Sequence, residues 1–303
     1  MSRRYALYDV FTANRLSGNP LAVVFDGAGL DDHAMQAIAG EFNLSETVFV
    51  LPPENASHTA RLRIFTPGRE LPFAGHPTVG TAIALAEIDG GDLPIDKVSV
   101  LEENVGPVRC AVKLAADTPS FAEFDLPQKS ALCKLEQEPD RQGLADALSI
   151  SVKHIGFENH VPQIWSGGVP FLYIPVKDLA TLGEIDFDPS LWEMHAPMAG
   201  GHIASAYLYC RGANGNSFQA RMFSPDMGIA EDPATGAAVA GLSGTIHHFD
   251  KLVDGYHSFV IAQGVEMGRP SKIHLHLDVH AGEISRARIG GHAVRVATGV
   301  LDL

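Results

Sequence analysis

Apolar and polar positions change period many times along the chain, and each change marks an element. β-Branched and aromatic residues crowd Tyr5–Phe11, Leu21–Phe25, Thr47–Leu51 and Arg61–Phe65, which predicts four strands. Between the second and third, Met35, Ile38, Ala39 and Phe42 recur at helical spacing. A helix over Asp31–Phe42 follows, with Asp31 or Asp32 able to cap it. The alanine-rich run Pro77–Ile88 predicts a second helix, with Pro77 at its first position and His76 at or near the N-cap. Val98–Val100 and Val108–Leu114 read as further strands. A polar stretch, Ala115–Ser120, marks a boundary, and Gln128–Arg141 reads as loop or short helix. Beyond it, Gly168–Val176 is a turn and strand, Ala204–Cys210 and Ser217–Phe223 are strands, and Pro233–His247 is a helix rich in small residues. Lys272–Val279, Ile284–Ile289 and Ala293–Leu301 close the chain as strands.

The order of these elements repeats. Arg63-Ile-Phe-Thr-Pro67 is matched by Arg221-Met-Phe-Ser-Pro225, 158 positions on. His76-Pro-Thr-Val-Gly-Thr-Ala82 is matched by Asp232-Pro-Ala-Thr-Gly-Ala-Ala238, 156 positions on, and Gly18-Asn-Pro20 has a weaker echo in Gly168-Val-Pro170. Ordered matches at nearly one offset indicate duplication. The expected domains are residues 1–117 and 118–292, with about 293–303 returning to the first.

Each repeat places a chemically distinctive residue, His76 or Asp232, before a proline at a helix start. Proline loses no needed hydrogen bond there, and aspartate is a strong cap. The unpaired amides of a helix start, with the helix dipole, favour an anion such as a substrate carboxylate. Gly75, Gly80 and Gly236 would let backbone or ligand approach closely. Two related domains about a pseudo-twofold would aim both starts into one cleft. Taken singly, Asp232 reads as a cap and His76 as a loop histidine; their paired placement is what suggests function.

Composition narrows the class. The chain has 303 residues, 46% hydrophobic and 19% charged, which is enough apolar content for two packed cores. A net charge of −14 argues against binding nucleic acid or anionic lipid over a broad surface. Cys110, Cys133 and Cys210 are widely spaced and form no CxxC pair, so neither a disulfide framework nor a structural zinc site is expected, and a reducing cytoplasm is the default. No stretch has the length and apolarity of a signal peptide or membrane span.

Several segments together resemble the phenazine-biosynthesis isomerase family (PhzF-like). They are Asp9-Val-Phe-Thr, Gly18-Asn-Pro-Leu-Ala-Val-Val24, Asn43-Leu-Ser-Glu-Thr-Val-Phe49, Phe73-Ala-Gly-His-Pro-Thr78, Glu231-Asp-Pro-Ala-Thr-Gly236 and Gln263-Gly-Val-Glu-Met-Gly-Arg-Pro-Ser271. Each motif is short, but the ordered set reaches from near the N-terminus to Gly290-Gly-His-Ala-Val294. The resemblance implies a diaminopimelate epimerase-like α+β fold, two duplicated domains each with a curled β-sheet around a central helix. It implies a homodimer and a cofactor-independent isomerase using carboxylate acid–base chemistry, in the manner of a hydrogen shift on a dihydro-hydroxyanthranilate-like acid. Relatives that racemise use a cysteine pair at the helix starts; here no cysteine lies there. Carried over one at a time, the family's catalytic glutamate, histidine and aspartate fall on Glu46, His76 and Asp232. Gly75, Pro77 and Thr78 at one helix start, and Gly236 and Ala237 at the other, are expected to hold the substrate. The family's isomerase usually has serine where Ala237 stands, which leaves the substrate's identity open.

Glu46 lies between a helix and an apolar strand, where burial would raise its pKa and suit it to proton transfer. The bland alternative is a carboxylate capping a turn. The expected ligand is a small carboxylate, with no metal or other cofactor. An epimerase or racemase of a small acid, or a binding protein that has lost catalysis on the same fold, are the competing readings. His274, His276 and His280 are compatible with metal binding, but a solvated strand face is the preferred reading and no metal is expected there. Arg63 and Arg221 occupy matching strand positions and either bracket the cleft or pair with acids.

Overall fold

The computed structural model describes residues 2–91, 94–115, 118–134 and 139–303. The chain forms two compact units, residues 1–127 with 288–303, and residues 128–287.

In the first unit the elements run β1 (Ser2–Val10), β2 (Asn19–Val24), α1 (Asp32–Phe42), β3 (Glu46–Leu51), β4 (Ala60–Phe65), β5 (Glu70–Leu71), α2 (Gly75–Gly90), β6 (Ile95–Glu103), β7 (Gly106–Leu114) and β8 (Phe121–Asp125). The second has β9 (Ala131–Leu132), α3 (Arg141–Ala147), β10 (Gln163–Ser166), β11 (Pro170–Pro175), α4 (Leu179–Glu184), α5 (Pro189–His195), β12 (Met198–Ala199), β13 (His202–Ile203), β14 (Ser205–Arg211), β15 (Ser217–Ser224), β16 (Ile229–Asp232), α6 (Gly236–Asp250), β17 (Gly255–Gln263) and β18 (Ser271–His280). A last strand, β19 (Glu283–Asp302), supplies the return to the first unit.

Strand pairing follows one scheme twice. In the first unit β1 pairs antiparallel with β2, β2 parallel with β3, β3 antiparallel with β4, β4 parallel with β6, and β6 antiparallel with β7. In the second, β10, β11, β14, β15, β17 and β18 repeat that succession of antiparallel and parallel pairs. The short strand ahead of each central helix, β5 or β16, pairs with β4 or β15 in the same way. This is duplication of one unit.

The first copy closes on itself. β8 pairs with β7 and with β19, and β19 pairs with β1, so eight strands ring α2. Closure removes exposed sheet edges. It also explains why α2 has no polar face: Val79, Ala82, Ile83, Ala84 and Ala86 are buried along with His76, Thr78 and Thr81. Gly80 is required by this enclosure, because a Cβ there would collide with the side chains of Leu21 and Val10. Its role is close packing of helix on sheet rather than access for a ligand. α1 lies on the sheet's other face, where Met35, Ile38 and Ala39 pack with Val24, Phe49 and Phe65. Each large apolar side chain so buried contributes about 1.5–3 kcal/mol. In the second unit the corresponding outer layer is α3, α4 and α5, with Trp192, Leu144 and Leu182 in its core.

Several sequence expectations shift. The expected divide at 117/118 moves to 127/128, because β8 pairs with β7 and β19 inside the first unit. The returning segment begins at Arg288 rather than near 293. Ile284–Ile289 and Ala293–Leu301 belong to one continuous strand, β19, since Gly290-Gly291 runs through the β8 pairing without a turn. Ala116 and Asp117, within the expected boundary, and residues 135–138, within the expected loop Gln128–Arg141, lie outside the described residues. α3, α4, α5, β8, β10, β17 and the short strands β5, β9, β12, β13 and β16 had no sequence counterpart.

The helix starts differ most. α2 begins at Gly75, with Ala74 as an extended N-cap, and α6 begins at Gly236, with Thr235 as N-cap. His76 is therefore inside the first turn and Asp232 is the last residue of β16, so neither is the cap. Pro77 is tolerated at the third helical position because amides of the first turn have no intrahelical partner. Among the described residues, no helix is long and apolar enough to cross a membrane.

Candidate active site

Glu46 opens β3. α1 ends at Asn43, whose left-handed conformation (φ 50°) closes the helix while its N–H donates to Ala39 O. Leu44 and Ser45 complete the turn, and Glu46 enters the sheet opposite Leu21. The side chain is 15% exposed. Its Oε2 lies 3.3 Å from Nε2 of His76, itself 5% exposed, on the first turn of α2. Burial depresses the His76 pKa to about 3. Water cannot solvate an imidazolium there, so the ring is neutral at physiological pH. A carboxyl group beside a neutral imidazole can hold a proton or pass one without separating charge in an apolar interior.

Around this pair, Gly75, Pro77 and Thr78 are all buried in the first turn of α2. The Thr78 hydroxyl lies 2.7 Å from Ala74 O and 2.7 Å from Oε1 of Glu103. Two of the expected substrate-holding residues thus serve the helix start itself: Thr78 through its hydroxyl, Pro77 through its fixed backbone.

Asp232 belongs to the second unit. It is 5% exposed and pairs with Met222 across the sheet. The Thr235 hydroxyl donates to its Oδ2. Gln263, fully buried at the end of β17, donates from Nε2 to Asp232 O (2.8 Å) and Thr235 Oγ1 (2.9 Å), and its Oε1 accepts from Thr235 N (3.2 Å) and Tyr207 OH (3.3 Å). Ser271 Oγ donates to Pro233 O at 2.7 Å. Gly264 turns at φ +71°, where a Cβ would strike Pro233 O. The Gln263–Ser271 motif therefore clamps the turn that carries Asp232. Gly236 and Ala237 follow in the first turn of α6; Gly236 is buried, while Ala237 is partly open to solvent. Sequence reasoning had assigned no role to Gln263, Glu103 or Tyr207. Gln263 lay within a quoted motif, which was a usable signal; the other two carried none.

The remaining candidates resolve structurally. Arg63 makes a two-pronged pair with Glu70 and reaches Asp32, and Arg221 makes the same pair with Glu231 and donates to Leu182 O and Ile185 O. Both brace the strand ahead of the central helix. On β18, buried Ile273, Leu275 and Leu277 alternate with the partly exposed His274 and His276. A different group, Glu158, His160 and Asp250, brings metal-type ligand atoms within 4.8 Å of one another. Arg211 already sits on it, 2.8 Å from Glu158 and 2.6 Å from Asp250. Its guanidinium supplies the positive charge a cation would bring. Cys110 and Cys210 are buried, and burial raises both thiols.

The class is defined by the fold: mixed α+β, with a carboxyl–imidazole contact between Glu46 on β3 and His76 on the first turn of a central helix. A hydroxyproline epimerase from Agrobacterium vitis shares the fold (TM-score 0.65, 14% identity, covering 99% of this chain and 92% of that one). A PhzF-family phenazine biosynthesis protein from Bacillus anthracis matches more fully (TM-score 0.87, 24% identity, 100% of both chains). Residues 8–299 match the PhzC-PhzF family, described as phenazine biosynthesis-like protein, and the chain belongs to that family as one of its isomerases. It is 54% identical over 99% of both chains to an uncharacterized isomerase of Mesorhizobium japonicum. It is 33% identical, again over 99% of both, to trans-2,3-dihydro-3-hydroxyanthranilate isomerase of Pseudomonas chlororaphis.

Proposed function

We propose that this isomerase shifts a proton on a small carboxylic acid, with Glu46 as the group that takes up and returns it. The observation that carries the reading is Glu46 Oε2 at 3.3 Å from the neutral Nε2 of His76. Glu46 retains enough exposure to meet a ligand, while His76 is enclosed and uncharged. In this scheme Glu46 removes the proton beside a carboxylate or conjugated alkene, His76 orients the substrate or relays the proton, and it is delivered elsewhere on the same carbon framework. Atoms and charge balance without a redox partner. Asp232, held by Thr235 and Gln263, is assigned to orienting substrate or completing the relay. Gly75, Gly236 and Ala237 are assigned to the substrate's carboxylate, which the amides and dipole of a helix start favour, while Pro77 and Thr78 hold the turn that presents Gly75.

The 33% relative suggests a dihydro-hydroxyanthranilate-like acid as the first compound to try. Ala237 offers no hydroxyl where serine is usual, so a substrate making one polar contact fewer is equally in keeping with the sequence. A cytoplasmic setting and a homodimer go with this reading; sedimentation of the purified chain checks the second.

The test is a panel of small carboxylic acids in D2O, comparing the parent protein with Glu46→Gln. Mass gain and product structure are both read, because a base that keeps its proton leaves no deuterium. Turnover should fall by about 10²–10⁴-fold, the usual worth of a general acid–base group. Full turnover by Glu46→Gln would overturn the assignment.

A further inference from the structure

We propose that Glu103 is a positioning residue that works as an uncharged carboxylic acid, donating its proton to Thr78 and thereby fixing the first turn of α2 and His76 upon it. The inference rests on the reading of His76 as part of the site, and it adds a residue that neither the motifs nor the family match single out.

Glu103 is the last residue of β6 and is 3% exposed. Next to it, Val105 N donates to Pro72 O at 3.0 Å, which ties the β6–β7 hairpin to the loop leading into α2. The Thr78 hydroxyl is 2.7 Å from two oxygens, Ala74 O and Glu103 Oε1. A hydroxyl has one hydrogen and two lone pairs. If that hydrogen goes to the carbonyl, which has none of its own, the second contact needs a hydrogen from Glu103. A protonated carboxyl supplies it.

The duplicated unit gives independent support. Gln263 ends β17, the strand after α6, as Glu103 ends β6, the strand after α2. Thr235, the N-cap residue of α6, stands one position beyond the repeat equivalent of Thr78, which is Ala234, and offers its hydroxyl to Gln263 as Thr78 offers its own to Glu103. Gln263 Nε2 donates to Thr235 Oγ1 at 2.9 Å, and that hydroxyl donates onward to Asp232. The direction is the one inferred for Glu103 to Thr78 to Ala74. One copy thus holds an amide, a permanently neutral donor, where the other holds a carboxyl.

The surroundings agree. Thr78, the Ala74 amide and neutral His76 belong to the start of α2, and Cys110 faces Glu103 from β7. None of these carries positive charge. Burial pushes the Glu103 pKa up to about 8 despite the bonds from Thr78 and Ala74. Above that pH the carboxylate draws the Thr78 hydrogen from Ala74 O, and the helix start loosens.

The experiment uses the full chain, labelled for carboxyl and imidazole NMR, over about pH 6 to 9.5, in the parent and Glu103→Gln, with the His76 ring assigned from His76→Asn. One glutamate carboxyl, missing in Glu103→Gln, should titrate near 8, and the His76 ring should move with the same midpoint. In Glu103→Gln the ring should stay at the parent's low-pH position. A Glu103 carboxyl already ionised at pH 6, or a His76 ring indifferent to its titration, would overturn the proposal. If Glu103→Gln does not fold, the parent's two titrations decide alone. Neither readout uses turnover, so failure to find a substrate counts against the isomerisation scheme and leaves this result standing.

Discussion

At the start of α2, Thr78 meets Glu103; at the start of α6, Thr235 meets Gln263. The strand pairing that brings each threonine to its partner is the same in both units, yet the residues set into that frame differ. The first unit carries two groups shifted by burial, His76 downward and Glu103 upward. The second carries Asp232, held by a hydroxyl and a permanently neutral amide. A duplicated scaffold preserves backbone geometry because pairing and enclosure demand it, while the side chains at the helix start remain free to take different protonation chemistry. At the first start, Glu103 is the group expected to respond to pH near neutrality.

The largest effect that probes this comparison is at the arginine braces. Arg221 is 9% exposed at the side chain and satisfies two carbonyls besides Glu231. Arg221→Ala leaves the largely enclosed Glu231 carboxylate and the carbonyls of Leu182 and Ile185 without their partner and should cost about 3 kcal/mol. Arg63 is 17% exposed, with partners Glu70 and Asp32 nearer to solvent, so Arg63→Ala should cost about 1 kcal/mol or less. Urea unfolding of both variants checks the order; equal losses would mean the two braces are energetically alike. Next comes Gln263→Leu, which leaves Asp232 O and the Thr235 amide without their partner. A loss of roughly 2–3 kcal/mol is expected in the same assay.

The most gradual effect is the acid response of His76, which is spread over several pH units. Its folded pKa, about 3, lies below the unfolded value near 6.5, so the unfolded chain binds the extra proton. Stability from this group is present above about pH 6.5 and is lost as pH falls towards 3, at no more than about 1.4 kcal/mol per pH unit. His76→Asn should flatten that limb of a melting-temperature profile. Glu103 acts in the other direction: its pKa is raised from 4.5, so its share of stability falls as pH rises from there to about 8.

The duplication was legible in the sequence because Arg63–Pro67 and Arg221–Pro225 preserve both order and spacing. Glu46, His76 and Asp232 were legible as candidates through the family motifs. The caps were not. His76-Pro77 and Asp232-Pro233 look like N-cap and first helical position, but Pro77 also fits the third, and Pro233 fits the turn clamped by Ser271. β17 was missed because Gly255-Tyr-His-Ser lacks a clean alternation, and its pairing with β15 and β18 settles it. Glu103, between Glu102 and Asn104 at a hairpin, has the local appearance of a solvated turn residue.

By itself, then, the sequence determined what depends on neighbours along the chain: the apolar periods, the repeated strand–turn–helix unit, the motifs and the absence of cysteine at either helix start. Tertiary structure alone decided which polar groups lost their water. The ring of strands around α2 buries Glu103 and His76, and burial is what makes one a neutral acid and the other a neutral imidazole. Charge state in a protein interior depends on the surrounding dielectric and hydrogen bonds, and here those come from strands far away along the chain, β1 and β19 among them.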